Sequence, residues 1–394
     1  MNLPINGHAD SRFAAIADVF RANFSDRGET GAALSIYHQG VKVVDLWGGY
    51  RDGRASLSWE EHTVAPVFST GKGIAAIACA FAVSRGLIRW DDPIAARWPE
   101  FARHGKGDIT LRQILDHKAG LVLFGRPVYR QDLADERSVA AIAEEMKPVW
   151  PPGSRWGYHL GTFGLLVAEI LRRCDPKRRA FSRFFHEEIA RPLGLAFRFG
   201  LPETLERQRL AHIEKPGLPQ LRQALFHAPP GLARQVLNPL SRLHRTFREL
   251  PDIDMNDRAW LKLEFPSANG IGEARAIAKL YSSLATGDPI LGLGQEVLLE
   301  ITAPPEVPPA GRTDRVMGVE AAWRLGFTRP SRDFPFSPSA RAFGMPGLGG
   351  SFGFCDPDHG LGYAYVPNQL GLLPFNDPRE RRLREALFGI LARG

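Results

Sequence analysis

Cysteine is scarce. Three in 394 residues, Cys79, Cys174 and Cys355, lie far apart. An odd number with no C-x-x-C gives neither a disulfide framework nor a thiol redox motif. Lysine is almost as rare, with nine among the 50 basic residues, so 41 are Arg. No apolar run approaches the roughly 18 residues of a membrane span. The longest, residues 74–83, covers ten. The first ten residues lack a basic region followed by an apolar stretch, so no secretory signal is read there. The eleven His include no H-E-x-x-H, which argues against a zinc hydrolase of that kind. These absences predict a reducing, cytoplasmic setting, no membrane partner, no metal and no cofactor.

What is present fits a globular chain. Hydrophobic residues make up 44% and charged residues 24%, ordinary proportions for a packed domain. The length suggests one large domain or two lobes. The net charge of +7 comes from scattered Arg. The densest stretches, 172–179 and 379–384, are broken by acids or apolar residues. They read as solvated helix faces, and no nucleic-acid partner is expected. No internal repeat or low-complexity tract is visible.

Periodicity gives a coarse order of elements. Phe13, Ile16, Phe20 and Phe24 share a helix face. Residues 31–37 and 41–47 read as strands around a His38-Gln39-Gly40 turn, which begins an antiparallel sheet. Residues 70–85 are apolar almost all round, hence a buried helix. Residues 111–117, 139–146 and 161–173 read as further helices, and Pro and Arg in 201–258 suggest irregular connections with short helices. Strands return at 323–328, 342–345, 351–356 and 360–367, and a charged helix closes the chain at 378–393. Strands at both ends with helices between predict an α/β (α+β) fold. One discontinuous lobe, 1–90 and 265–394, would hold a central antiparallel sheet flanked by helices, and 91–264 would form a mostly helical lobe.

The sharpest chemical feature is Ser69-Thr70-Gly71-Lys72, an S-x-x-K where a loop enters the buried helix. Residues three apart share a helix face, so Lys72 can reach the Ser69 hydroxyl. A serine nucleophile needs a base, and an amine serves only when neutral. Burial favours the neutral form, and no other charge follows Lys72 before Arg85. Chance alone gives this pattern roughly 0.4 times in such a composition, so the pattern needs its context. The competing reading is Ser69 as a helix cap with Lys72 reaching solvent. Gly349-Gly350-Ser351-Phe352-Gly353 also matches G-x-S-x-G. A nucleophile elbow needs a helix after the serine, and here a strand follows, so close backbone approach explains those glycines better. Gly71-Lys72 lacks the remainder of a Walker A motif. Within Pro152-Gly153-Ser154-Arg155-Trp156-Gly157-Tyr158-His159, Tyr158 could share a proton with a lysine, and His159 is a rival base.

Together, Ser69-x-x-Lys72, Tyr158 and the glycine-rich stretch Phe343-Gly344-Met345-Pro346-Gly347-Leu348-Gly349-Gly350 stand in the order found in penicillin-recognising serine hydrolases. The chain resembles the class C branch of the serine β-lactamase-like and penicillin-binding-protein superfamily, particularly the family VIII carboxylesterases. Supporting stretches run from Gly31-Ala32-Ala33-Leu34-Ser35 and Val44-Asp45-Leu46-Trp47-Gly48-Gly49 through Ile109-Thr110-Leu111-Arg112-Gln113-Ile114-Leu115-Asp116-His117 and Pro266-Ser267-Ala268-Asn269-Gly270 to Cys355-Asp356-Pro357. The resemblance implies Ser69 as the acylated nucleophile and Lys72 with Tyr158 as the general base and acid pair. It implies an oxyanion hole from the Ser69 and Leu348 amides, each such donor contributing about 3 kcal/mol. It places Met345, Gly347 and His159 against the substrate.

Two departures bear on specificity. Leu160 stands where β-lactamases usually have Asn, and Met345 replaces a cation or polar group that helps hold a β-lactam carboxylate. The expectation is a serine carboxylesterase acting on a small-molecule, short-chain acyl ester. A β-lactamase, amide hydrolase or acyltransferase using the same serine is the alternative, and a non-catalytic binding protein of the same fold is a third. Trp150, Trp156, Trp260 and Phe124 are candidates for an acyl pocket or for core packing.

Overall fold

Two segments far apart in sequence pair to make one sheet. The computed structural model describes residues 5–202 and 207–393. The N-terminal part supplies β1 (Ile5–Ala9), β2 (Gly31–His38), β3 (Val41–Asp52) and the short β4 (Leu57–Ser58). Next come β5 (Ala65–Pro66), β6 (Phe197–Phe199) and β7 (Gly270–Gly272), a separate small sheet ordered β5-β7-β6. The C-terminal part adds β8 (Trp323–Arg324), β9 (Phe327–Thr328), β10 (Phe343–Pro346), β11 (Phe352–Asp356) and β12 (Leu361–Pro367). The large sheet runs β1-β3-β2-β12-β11-β10-β9-β8, with β4 on β3.

The β2–β3 hairpin turns at Gln39 and Gly40, both with positive φ (51° and 79°). Two such central residues match the right-handed twist of the strands they join. The seam between the chain's two ends is β12 on β2, in register from Leu361 opposite His38 to Pro367 opposite Ala32. Side chains along these strands alternate between two cores, the period of a strand. Leu34, Ile36, Tyr363 and Tyr365 face a cluster with Phe20, Ile16, Leu383 and Leu387 from the two terminal helices, Ala14–Asp26 and Pro378–Leu391. Ala364 and Val366 face the main core. There the Ala274–Thr286 helix lies on β2, β11 and β12. A Cβ on Gly362 would strike that helix's backbone at Ala278 and Ser282, so only glycine allows the approach.

The Thr70–Ser84 helix runs beneath β10, between the sheet and the Thr162–Cys174 helix. Thr70 to Ala82 are all buried, as the unbroken apolar run predicts. This is the β-lactamase-like, mixed α/β fold expected from the sequence. One detail differs. The expected single strand 323–328 is a hairpin, β8 on β9 with Trp323 opposite Thr328, turning at Leu325 and Gly326, both with positive φ (47° and 86°). The turn is held against Leu115 and Asp116, the Leu325 amide donating to Asp116 Oδ1 (2.7 Å) and the Gly326 amide to the Leu115 carbonyl (3.0 Å). The 218–249 region forms the short helices Leu218–His227, Pro230–Leu237 and Arg242–Glu249, in line with the short helices expected there.

One buried cation ties the ends together. Arg379 is wholly buried and donates to Glu29 (3.1 Å), to both Asp377 oxygens (2.9 Å each) and to the Gly349 and Gln369 carbonyls (2.8 and 2.9 Å). Breaking a buried ion pair from one side strands the other charges, at about 3–5 kcal/mol. Arg379→Met is therefore expected to lower the unfolding free energy by about that amount, read by urea denaturation. A stability equal to the parent's would show that the network contributes nothing.

Candidate active site

The chain enters the Thr70–Ser84 helix through a tight turn. Phe68 sits at φ 49°, and the Thr70 and Gly71 amides donate back to the Val67 and Phe68 carbonyls (3.1 and 3.0 Å). Val67 is anchored through its own amide to the Gly270 carbonyl (2.9 Å). Ser69 occupies the helix-capping position, but its side chain makes no capping hydrogen bond. The capping reading of this serine is thus set aside, and its partly exposed hydroxyl faces Lys72.

Lys72 is fully buried rather than reaching solvent. Its Nζ lies 3.0 Å from Ser69 Oγ and donates to the Ser267 carbonyl at 2.7 Å. Burial pushes its pKa well below the usual 10.5, and no carboxylate offsets that push. A neutral amine keeps a lone pair, the property a base requires. Ser267 is itself fixed from two sides. Its hydroxyl donates to the Gly161 carbonyl (2.6 Å) and accepts from the Gly164 amide (2.7 Å).

The Tyr158 ring closes the other side, 5.1 Å from Lys72 Nζ. It stacks on Trp323 with centroids 5.3 Å apart and planes 16° apart. The Trp323 indole donates to Asp314 Oδ2 (3.0 Å), while Asp314 Oδ1 accepts the Val316 and Met317 amides (2.9 and 2.8 Å). Burial holds the Tyr158 phenol well above its usual pKa of 10, and the Ser69 hydroxyl beside it pulls the other way. The phenol therefore stays protonated near neutral pH and can give a proton.

The glycine-rich turn after β10 completes the group. Gly347 donates to the Ser351 carbonyl (2.7 Å), and a Cβ on Gly347 would strike the Val67 carbonyl and Ser351 Oγ. Glycine is what lets this turn touch the turn that carries Ser69. Ser351 then bridges the two: its hydroxyl donates to the Val67 carbonyl (2.8 Å) and lies 3.0 Å from Thr70 Oγ1. Among the described residues neither the Ser69 nor the Leu348 amide donates a hydrogen bond. Leu348 follows Gly347 in the turn that touches the turn carrying Ser69, and neither amide is spent within the fold.

The residues singled out from sequence divide into those that gather around Ser69 and those that do not. Lys72 and Tyr158 reach its hydroxyl, and Gly347, with Leu348 next in its turn, lies against the neighbouring Val67 and Thr70. Met345 is fully buried, with its Cβ against Gly73 and its side chain in the cluster of Tyr158 and Trp323, so it forms a floor. His159 stands apart. Its ring packs edge-on against His117 at 5.2 Å, its amide donates to His117 Nδ1 (3.2 Å), and burial holds its pKa down to about 3. It makes no hydrogen bond to Ser69, Lys72 or Tyr158 among the described residues, because it points into the core behind Tyr158. Trp150 and Trp156 pack in the Tyr158 cluster, and Trp260 and Phe124 lie in the main core. Three participants carry no sequence signal of their own. Ser267 acts through its main chain, Trp323 through a stack, and Asp314 through Trp323. The Pro266–Gly270 stretch marked the place of the first without its role.

Comparison with known proteins agrees with this geometry. The beta-lactamase family profile matches residues 16–388. The chain is 32% identical over 372 residues to the esterase/beta-lactamase LipL of Mycobacterium tuberculosis, covering 92% of this chain and 83% of that protein. A family VIII carboxylesterase structure superposes with a TM-score of 0.86 at 34% identity, covering 98% of this chain and 100% of its own. A penicillin-binding protein homologue from Caulobacter crescentus gives 0.84 at 35% identity, covering 98% and 100%. EstA from Arthrobacter nitroguajacolicus Rue61a gives 0.82 at 28%, covering 100% and 99%. A buried lysine against a partly exposed serine, in this fold and with these relatives, makes the chain a member of the beta-lactamase family of serine hydrolases.

Proposed function

We propose that this protein is a carboxylesterase that cleaves short acyl esters through an acyl-enzyme on Ser69. The observation that carries the reading is a wholly buried lysine amine, without a counter-charge, 3.0 Å from a partly exposed serine hydroxyl.

The steps follow from the positions. Ser69 Oγ attacks the ester carbonyl while Lys72 Nζ takes its proton. The carbonyl oxygen becomes an oxyanion held by the Ser69 and Leu348 amides. As the tetrahedral adduct collapses, the C–O bond breaks and a proton passes from Lys72 through the Tyr158 phenol to the departing alkoxide. Water then adds to the acyl-enzyme by the same route in reverse and releases the acid. Met345 and Leu160 offer no charge or amide for a β-lactam carboxylate, which favours esters over β-lactams. An alkoxide also leaves more readily than an amine. A cytoplasmic setting belongs to this reading, supported by three free, buried cysteines. Among the described residues no helix is long and apolar enough to cross a membrane.

Ser69→Ala is expected to abolish hydrolysis of a chromogenic butyrate ester and fluorophosphonate labelling seen by mass spectrometry. Full activity in that variant sinks the proposal.

The pH profile has a defined sign. Lys72 must be neutral, and its folded pKa lies below the usual 10.5. So kcat/KM rises as pH climbs through that lowered value. The phenol's raised pKa leaves no alkaline fall until it ionises. Tyr158→Phe should keep the acid limb and reduce the rate by about 10²–10⁴. An activity that falls with rising pH across the neutral range contradicts the lysine's role.

Ser351→Ala is expected to lower kcat about ten-fold, a fraction of the 10²–10³ that a lost oxyanion donor costs, with KM nearly unchanged. It would loosen the turn that presents Leu348 without touching the nucleophile. A complete loss equal to that of Ser69→Ala would instead mark Ser351 as the nucleophile.

A further inference from the structure

Of the helices Leu218–His227, Pro230–Leu237 and Arg242–Glu249, the second and third have two unlike faces. Inward, Leu232 and Leu243 are buried against Trp150, Trp156 and Tyr158, and the Thr246 hydroxyl donates to the Val122 carbonyl (3.4 Å). The last two helices also pack on each other. Outward, the face is apolar. Leu225 is 75% exposed, Phe226 83%, Leu237 81%, Leu240 82% and Phe247 52%. Of the sixteen large apolar side chains exposed among the described residues, eight fall between 218 and 247. Such concentration marks an interaction surface, whereas scattered single exposures do not.

The charge of the same segment selects the partner. Residues 215–248 hold five Arg and one Lys and no Asp or Glu. Arg222, Arg234, Arg242, Arg245 and Arg248 are exposed, and none is in a salt bridge among the described residues. A second copy of this chain would bring cations against cations, and the one acid at the end of the segment, Glu249, is taken up by the Phe124 and Gly125 amides. Nucleic acid would match the charge and leave the leucines in water. An anionic surface with an apolar interior matches both, since Arg can hold its head at the interface while its stem lies along apolar neighbours.

We propose that the outer face of the Pro230–Leu237 and Arg242–Glu249 helices docks on the surface of an anionic phospholipid bilayer, with Leu237, Leu240 and Phe247 entering the headgroup boundary and the arginines lying against lipid phosphates. The attachment is peripheral, in keeping with the lack of a membrane-spanning helix among the described residues. The docking face is the outer side of helices whose inner leucines pack in the Tyr158 cluster. The docking does not depend on the chemistry at Ser69.

The test is flotation of the full chain with vesicles of phosphatidylglycerol in phosphatidylcholine, against vesicles of phosphatidylcholine alone. The protein is expected to float with the first and not the second, and to be released by salt. Leu237→Ser with Leu240→Ser should reduce the partition about ten-fold or more, and Arg245→Glu with Arg248→Glu by about five-fold for each cation removed. Both variants should keep the parent's far-ultraviolet circular dichroism. Wild-type protein left at the bottom of the gradient with both vesicle types overturns the proposal. So does a concentration-dependent dimer that the leucine changes disperse, or binding to duplex DNA without binding to vesicles.

Discussion

The structure depends on one uncompensated burial. Lys72 enters a helix whose other residues from Thr70 to Ala82 are also buried, and no carboxylate stands near it. An ionised ammonium there is expensive, so the fold is cheaper with the amine neutral. That is the condition under which nitrogen can take a proton from Ser69. Burial thus costs the fold stability and at the same time supplies the base, a common arrangement at sites whose pKa values are tuned by burial.

The surrounding contacts serve to hold that atom and its partners in place. The Ser267 carbonyl takes one Nζ hydrogen, and Gly164, having no side chain, lets the Ser267 turn lie on the Thr162–Cys174 helix. Asp314 and Trp323 set the plane of Tyr158. Ser351 and Gly347 press the turn carrying Leu348 onto the turn carrying Ser69. Arg379 then fixes the next carbonyl, Gly349, and joins it to both terminal helices through Glu29 and Asp377. The site is therefore assembled where the first and last thirds of the chain are stitched together by β2 and β12.

Much of this was legible in the sequence, for identifiable reasons. The β2–β3 hairpin and the β11–β12 pair announce themselves by alternation and by turn residues at Gly40 and Asp356–Gly360. The helix carrying Lys72 announces itself by an unbroken apolar run. Ser69, Lys72 and Tyr158 were readable because each acts through a side chain whose chemistry is rare in such a context. Ser267 was not, because a carbonyl has no residue identity. His159 was misjudged because adjacency to Tyr158 says nothing of direction, and its neighbour His117, 42 positions away, draws it into the core. The turn at Leu325 was hidden for a similar reason: it is held by a hydrogen bond to Asp116, far off in the chain. The leucines of 218–247 carry too weak a periodicity to show which side is covered, and only the fold shows it.

The central claim concerns one proton, and the scarcity of lysine makes it measurable. Nine lysines give a sparse spectrum when their side chains carry a carbon-13 label at Cε, and the Lys72 signal is the one missing in Lys72→Met. Following that signal with pH reads the amine directly. The account predicts a midpoint well below the ordinary 10.5. A Lys72 that titrates at or above 10.5 would show an ammonium ion beside Ser69 at neutral pH and would contradict the account.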